Sequence, residues 1–346
     1  MNVRSDTEFK SKSKELNMGS DTLEFDVPGI LECQNNRYPM LFLDRVTECV
    51  PGRYAKGYKL FSYNEWYFHG YDTSEPKVWN VIQIEAMSQL FLMTFLSKEE
   101  LKGSIAVSNK FEEANFFKKI LPGDRLDLEA TLTSFGRGVA KGTVVGSVKG
   151  EQACSLSCTI IIPELFEQFK PQLTKQKVKL EPNTLSPDPK PENPNLDFGI
   201  PKIRECLLNK HPWLFIDRVT DIEPGQYVRA VKNYTYNEPY FPEHFPSSPS
   251  VPGFIQIETC MQVFLMTFLS LEKFKRKETA DRRLSNIVIK RKIIPGDTME
   301  VSAFLDNFSR GIAKGRVESF IDGDPAVSFE VVVVIPEELD KFMPKK

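Results

Sequence analysis

Residues 241–258 read FPEHFPSSPSVPGFIQIE and hold His244 and Glu258 on either side of a Pro-Gly pair. These residue types move protons. Histidine titrates near neutral pH and is the default general base, while a carboxyl group held among apolar residues keeps its proton and can serve as an acid. Gly253 adds a third component. It opens an apolar stretch read as a helix, whose first N–H groups stand outside the helical ladder and favour an anion, and a glycine lets a substrate approach the backbone closely. The phrase occurs earlier as FHGYDTSEPKVWNVIQIE over 68–85. There the glutamate persists as Glu85, but Tyr71 stands in the histidine's place and Trp79-Asn80 in that of Pro252-Gly253. Tyrosine, with a pKa of about 10, is a poor base at neutral pH. The chain therefore carries two acids and one loop that has its base.

The repetition extends well beyond this phrase. Pro28 recurs as Pro201, Asp44-Arg45-Val46 as Asp217-Arg218-Val219, Pro122-Gly123-Asp124 as Pro295-Gly296-Asp297 and Pro163-Glu164 as Pro336-Glu337, always 173 positions on. A constant offset over a whole copy marks an internal duplication. We expect a polar, disordered tail over 1–24, one copy over 25–169, a Pro-rich linker over 170–197 and a second copy over 198–346. The linker is extended in composition, and at about 3 Å per residue it is long enough to pass around a domain. Within each copy a short helical piece leads to YPMLFLDRVTECVPG or HPWLFIDRVTDIEPG, whose Pro-Gly ends a first strand. GFIQIETCMQVFLMTFLSLEKF is apolar on nearly every side, so its helix must be buried all round. MEVSAFLDNF, GIAKGRVESFI and AVSFEVVVVIP read as strands. One buried helix and a run of antiparallel strands give an α+β arrangement, a sheet wrapped around a helix.

Composition narrows the function classes. Hydrophobic residues are 41% and charged residues 27% of the 346, a balance that fits a soluble chain of two ordinary domains. The formal charge of −2 argues against nucleic acid as the main partner. No apolar run reaches the roughly 20 residues that cross a bilayer, and the N-terminus has no apolar core of a secretory signal. The six cysteines form no CxxC and read as reduced thiols of a cytoplasmic protein. Cys154 and Cys158 share a strand face, but the three histidines are distant in sequence, and no metal site is expected.

HFPSSPSVPGFIQIE resembles the signature of the 3-hydroxyacyl-[acyl carrier protein] dehydratases of FabA/FabZ type: His244, Phe245, Pro246, Pro249, Pro252 and Gly253, then Glu258 and Gln262 on the helix. The DRV segment, the Pro-Gly-Asp turn and the Arg-Gly-Ile/Val-x-Lys strand resemble the same family. The resemblance implies two tandem hotdog domains forming an intramolecular pseudo-dimer, alone or as a homo-oligomer of pseudo-dimers. It implies dehydration of 3-hydroxyacyl thioesters to 2-enoyl thioesters, in fatty acid, polyunsaturated fatty acid or polyketide synthesis. No cofactor is implied beyond the phosphopantetheine of an acyl carrier protein that brings the substrate. In the family the histidine and the acid of one site come from neighbouring hotdogs, so His244 is expected to work with Glu85. His244 would take the C2 proton, Glu85 would protonate the leaving hydroxyl, and the Gly253 N–H, placed by Pro252, would polarise the carbonyl. Gln89, one turn after Glu85, would orient the carboxyl. Tyr71 and Glu258 would be a vestigial second site, with Trp79 filling its cavity. A glutamate at the helix position, where the isomerising branch has aspartate, favours plain dehydration.

Further residues carry weaker expectations. His69, two residues before Tyr71, would point its side chain elsewhere, and His211, before a proline, is read as structural. Basic residues cluster at EKFKRKETADRR and IKRK. They form either a solvated face or a dock for an acidic carrier protein, with Lys290, Arg291, Lys292, Arg310 and Lys314 as the family-based contacts. Two other readings stand beside dehydration: a hotdog thioesterase, which would not need the HFPxxPxxPG loop, and a catalytically silent acyl-binding or interaction module, which the decay of the first copy supports and the intact second loop opposes.

Overall fold

Both copies follow one order of elements in the computed structural model, which describes residues 22–73, 75–168, 196, 198–242, 244 and 249–343. In the first copy β1 (Leu23–Phe25) and α1 (Val27–Cys33) precede the hairpin of β2 (Arg45–Val50) and β3 (Tyr54–Leu60). Then come α2 (Asn80–Leu96), β4 (Val107–Phe116), β5 (Arg125–Gly136), β6 (Val139–Val148), β7 (Glu151–Ile161) and α3 (Pro163–Gln168). The second copy has α4 (Ile200–Cys206), β8 (Arg218–Glu223), β9 (Tyr227–Asn233), α5 (Gly253–Leu269), β10 (Ala280–Ile289), β11 (Thr298–Ser309), β12 (Ile312–Ile321), β13 (Asp324–Val334) and α6 (Pro336–Asp340).

The strands join in one 13-stranded sheet, ordered β1-β2-β3-β5-β6-β7-β4-β10-β13-β12-β11-β9-β8. Every strand pair is antiparallel. The copies meet where β4 pairs with β10. Phe111 there opposes Ile287 and Ala114 opposes Leu284, a register that maps onto itself when the copies are exchanged. The chain is thus two hotdogs sharing one sheet about a local two-fold axis.

Each half curls around its own helix. The sheet comes close because glycine leaves it room: a Cβ on Gly142 in β6 would stand 2.3 Å from the Phe91 ring of α2, and one on Gly315 in β12 would stand 2.5 Å from the Phe264 ring of α5. The sequence GVAKG or GIAKG supplies that gap in both copies. Of the 17 residues in α2 only Asn80 and Glu85 escape burial. In α5 Gly253 and Leu265 escape it, while Glu258 does not. The two helices pack on each other, and the Phe42 ring of the first copy meets Phe254 of the second edge-on at 5.5 Å.

Two expectations need correction. The tail expected over 1–24 ends sooner, because Leu23 and Phe25 form an edge strand on β2; residues 1–21 lie outside the described residues. The segment EKFKRKETADRR is not a basic surface cluster throughout. Phe274 and Thr279 are buried within it, and its end enters β10, where Asp281 is half-buried and Arg282 and Arg283 are exposed. Most of the linker expected over 170–197 also lies outside the described residues, but Leu196 near its end packs against the core.

Candidate active site

The two-fold arrangement brings the start of α5 beside the middle of α2. Between them lies a cavity of about 500 Å³. The first copy contributes Glu85, Ser88, Leu92 and Leu96 of α2, with Met40 and part of β4; the second contributes His244, Ser250, Pro252 and Gly253. His244 and Glu85, separated by 159 positions in the chain, therefore line one space.

The histidine has a defined tautomer. Its Nδ1 lies 2.7 Å from the Ser250 carbonyl oxygen. A carbonyl only accepts, so Nδ1 carries the hydrogen and the basic lone pair is on Nε2. Burial pushes the ring's pKa down to about 4, opposed by the Ser250 hydrogen bond, so the imidazole is neutral at ordinary pH. Glu85 is half-buried, and desolvation pushes its carboxyl up to about 7 against a hydrogen bond from Gln89. Gln89 fixes that carboxyl from the next helical turn. Its Nε2 donates to Glu85 Oε1 at 2.8 Å and to the Met40 carbonyl at 2.7 Å, and its Oε1 accepts from the Phe42 N–H. The cavity thus presents an unprotonated base and an acid near its midpoint at neutral pH, the pairing that proton abstraction with acid assistance requires.

Gly253 is the first residue of α5, after Pro252. Its N–H has no carbonyl four residues back within the helix, and the helix dipole points its positive end into the cavity. A Cβ there would come within 3.0 Å of Ile289 Cδ1 on the cavity wall.

The equivalent place on the other side of the axis is built differently. The Trp79 ring stacks on Trp213 at 5.2 Å and 18° and meets Tyr71 edge-on at 4.9 Å. Trp213 is fully buried and donates its indole N–H to Glu258 Oε1 at 3.1 Å. Gln262 holds Glu258 just as Gln89 holds Glu85, at 2.9 Å, so the acid's support survives in both copies. Burial pushes Glu258 up to about 8. Tyr71 is pushed far above the usual phenol range by burial and by the nearby Glu278, Asp281 and Glu258, which disqualifies it as a base. Asn80, in the place of Gly253, turns its side chain back: Nδ2 donates to the Asp281 carbonyl at 3.2 Å and Oδ1 accepts from Gln83. The Tyr71 loop is stitched to the second copy through a bridge to Asn209 and an Asp72–Arg276 ion pair.

Sequence reasoning missed Trp213. Its signal was present, since HPWL matches YPML and places Trp213 opposite Met40, which lines the open cavity. Of the basic residues expected at a carrier dock, Lys290, Arg291 and Lys292 line the cavity; Arg291 also pairs with Asp324 at 3.5 Å. Arg310 and Lys314 do not line it. Arg310 occupies the turn between β11 and β12, near the Phe342 ring, and Lys314 is exposed on β12. His69 is exposed beside Tyr63, and His211 is exposed as well. All six cysteines are buried and unpaired.

Comparison with known proteins gives consistent matches. The family described as FabA-like domain matches residues 35–157 and 207–330. The 3-hydroxyacyl-[acyl-carrier-protein] dehydratase FabZ of Clostridium novyi (strain NT) is 39% identical over 138 residues, 40% of this chain and 97% of that protein. FabZ of Ralstonia nicotianae is 33% identical over 148 residues, 42% of this chain and 90% of its own length. Among solved structures, a variant of the PpsC dehydratase domain from Mycobacterium tuberculosis has a TM-score of 0.50 at 9% identity, covering 82% of this chain and 93% of that one. A MaoC-like dehydratase has a TM-score of 0.50 at 10% identity, over 82% and 98%. These structural likenesses speak to the fold.

Proposed function

This chain belongs to the FabA-like family, and we infer from that premise that it eliminates water from 3-hydroxyacyl thioesters to give 2-enoyl thioesters, in fatty acid or polyketide synthesis. It is a hydro-lyase of the FabZ type. The observation that carries the assignment to particular residues is the meeting of His244 and Glu85, from different copies, in one cavity.

In this reading each chain has one working site. The His244 Nε2 lone pair takes the C2 proton. The electron pair of that C–H bond develops charge on the thioester oxygen, which the Gly253 N–H and the positive end of α5 stabilise. As the C2–C3 double bond forms, the C3–O bond breaks and Glu85 gives its proton to the departing hydroxyl, which leaves as water. Imidazolium and carboxylate remain, and a proton passed from one to the other restores the starting state. Gln89 keeps the Glu85 carboxyl aimed, and Pro252 sets the entry to α5. The elimination changes no overall oxidation state, so its chemistry asks for an acid and a base alone. The reciprocal pair, Tyr71 and Glu258, is vestigial, closed by Trp79 and Trp213.

The substrate arrives on the phosphopantetheine of an acyl carrier protein, with Lys290, Arg291 and Lys292 at the cavity as its acidic partner's contacts. Such contacts raise association rate and weaken with salt. Domains beginning at the edge strand Leu23–Phe25 and at Phe198 form the pseudo-dimer. The buried, unpaired cysteines support a cytoplasmic location.

The test is an assay of the purified full chain with a 3-hydroxyacyl-pantetheine thioester, reading both the enoyl absorbance and free thiol. We expect enoyl thioester from wild type and only background from His244→Ala. Release of thiol in place of enoyl product would make the protein a thioesterase, and equal background from both proteins would make it a silent acyl-binding module.

A further inference from the structure

The seam between the copies parts at one end and is stitched at the other. β4 and β10 pair from Asn115 opposite Arg283 to Lys110 opposite Val288. Past Lys110 each strand keeps to its own copy. Ser108 and Val107 pair with Ile160 and Ile161 of β7, while Lys290 donates its N–H to the Ala326 carbonyl. Residues 104–109 and 289–292 all line the cavity, so the cavity opens where the strands part. Ile105 and Val107 are 36% and 37% exposed, which brings that opening to the surface.

The two-fold counterpart of this gap is closed by charge. Lys119 bridges Glu278 at 3.0 Å, and Lys77 bridges the same carboxylate at 3.5 Å. Lys77 also donates to the Thr279 carbonyl, and Asn80 to that of Asp281. At the open end the places of Lys77 and Glu278 are taken by Ser250 and Ile105, so neither ion pair can form there.

The open gap is lined by neutral hydrogen-bonding groups. The side chains of Ser104, Ser108 and Asn109 bond to nothing among the described residues, and their polar atoms are open to solvent. Asn35 and Asn36 spend their Nδ2 groups on the Gly103 and Ser104 carbonyls and on Gln34, which leaves each Oδ1 open. The fold does not demand these residue types. At the stitched end Asn36 keeps its type as Asn209, but the others become Leu208, Lys277, Asp281 and Arg282. A hydrocarbon chain laid over such groups would strip their water and return nothing. They suit a neutral ligand made of amides and hydroxyls, with Ile105 and Val107 beside them for an apolar part.

We propose that this gap is the channel for the pantetheine arm. Asn35, Asn36, Ser104, Ser108 and Asn109 bind its two amides and its hydroxyl, and Ile105 and Val107 take its paired methyl groups. The proposal rests on the reading of the substrate as a pantetheine thioester. From sulfur to terminal hydroxyl the arm spans about 15 Å, a little over four residues of extended chain. The cavity-lining face of α2 rises about 16 Å from Glu85 to Leu96, so an arm entering beside Leu96 brings its thioester to the level of Glu85. Recognition of the arm then belongs to the open end alone, and the stitched end admits none.

The test compares kcat/KM for 3-hydroxyoctanoyl-pantetheine and for 3-hydroxyoctanoyl-N-acetylcysteamine, which keeps only the amide nearer the sulfur, together with calorimetric Kd values for both. The full chain is used as wild type, as the double variant Ser108→Ala, Asn109→Ala, and as Arg282→Ala, which alters the counterpart of Asn109 at the stitched end. Wild type should favour the pantetheine thioester about tenfold or more, mostly through KM, as two neutral hydrogen bonds allow. The double variant should cut that preference about fivefold, and Arg282→Ala should keep it. Equal use of both thioesters by wild type overturns the channel. So does a double variant that keeps the preference or loses equally on both thioesters, and so does the same change of preference in Arg282→Ala. If neither thioester loses water, the dehydratase reading fails by itself, and the ratio of Kd values decides the channel by the same criterion; binding of neither thioester overturns it too.

Discussion

The two ends of the helix pair began as one design and now differ in every component except the acid and the glutamine that supports it. On one side His244, Gly253 and Met40 leave a cavity in front of a half-buried Glu85. On the other, Tyr71, Asn80 and Trp213 take the equivalent positions, and Glu258 is 6% exposed beneath an indole. The supporting glutamine is the same in both, with Gln89 and Gln262 making matching bonds to carboxyl and backbone. What the duplication relaxed was the access to the acid and the base facing it. What it preserved was the architecture, because each helix must still fill the curl of its own sheet and pack on its neighbour. The lost loop was put to another use: its tryptophan stacks across the copies and its backbone pairs with the second copy.

The comparison breaks most sharply at the base. His244→Asn should lower kcat by about 10²–10⁴-fold, the usual contribution of a positioned base, while Tyr71→Phe should leave the rate within about twofold. Steady-state kinetics of the two variants checks this. A second variant converts one side into the other. Met40→Trp places in the open cavity the ring that Trp213 places over Glu258, and it should cut kcat/KM by about tenfold or more through lost volume in front of the acid. A thermal melt of the variant should show that the fold persists.

The pH dependence is a smaller effect with a definite sign. The proposed mechanism needs His244 unprotonated, which holds above about 4, and Glu85 protonated, which holds below about 7. The kcat/KM profile should therefore be a bell that falls on the acid side near the first value and on the alkaline side near the second. Glu85→Gln should remove the alkaline limb from whatever rate is left.

Much of this was legible in the chain. The offset of 173 residues shows the duplication, and apolar stretches without a polar face show two helices buried all round. The cross-copy pairing of His244 with Glu85 was expected from the family resemblance, and the structure places both in one cavity. Other features depend on contacts that no local pattern encodes. Trp213 lies 45 residues before Glu258; the match of HPWL to YPML puts it in the place of Met40, but the contact of its indole with that carboxyl shows only in the fold. β10 was hidden because Leu284 and Ile287 lie three apart and both turn inward only through the register shift between Ser285 and Val288, so no period-two alternation marked the strand and its arginines stood out instead. Arg310 and Lys314 were carried over from a motif that recurs in a strand, and the sheet order sets that strand away from the cavity.

The measurement that bears most directly on the single composite site is the activity of Glu85→Gln beside Glu258→Gln on one 3-hydroxyacyl-pantetheine thioester. Both substitutions keep the shape of the side chain and its glutamine partner, so they differ only in which acid is removed. Glu85→Gln should lose about 10²–10⁴-fold in kcat, and Glu258→Gln should stay within about threefold of wild type. Activity retained in Glu85→Gln and lost in Glu258→Gln, or an equal partial loss in both, would contradict a site built from His244 of one copy and Glu85 of the other.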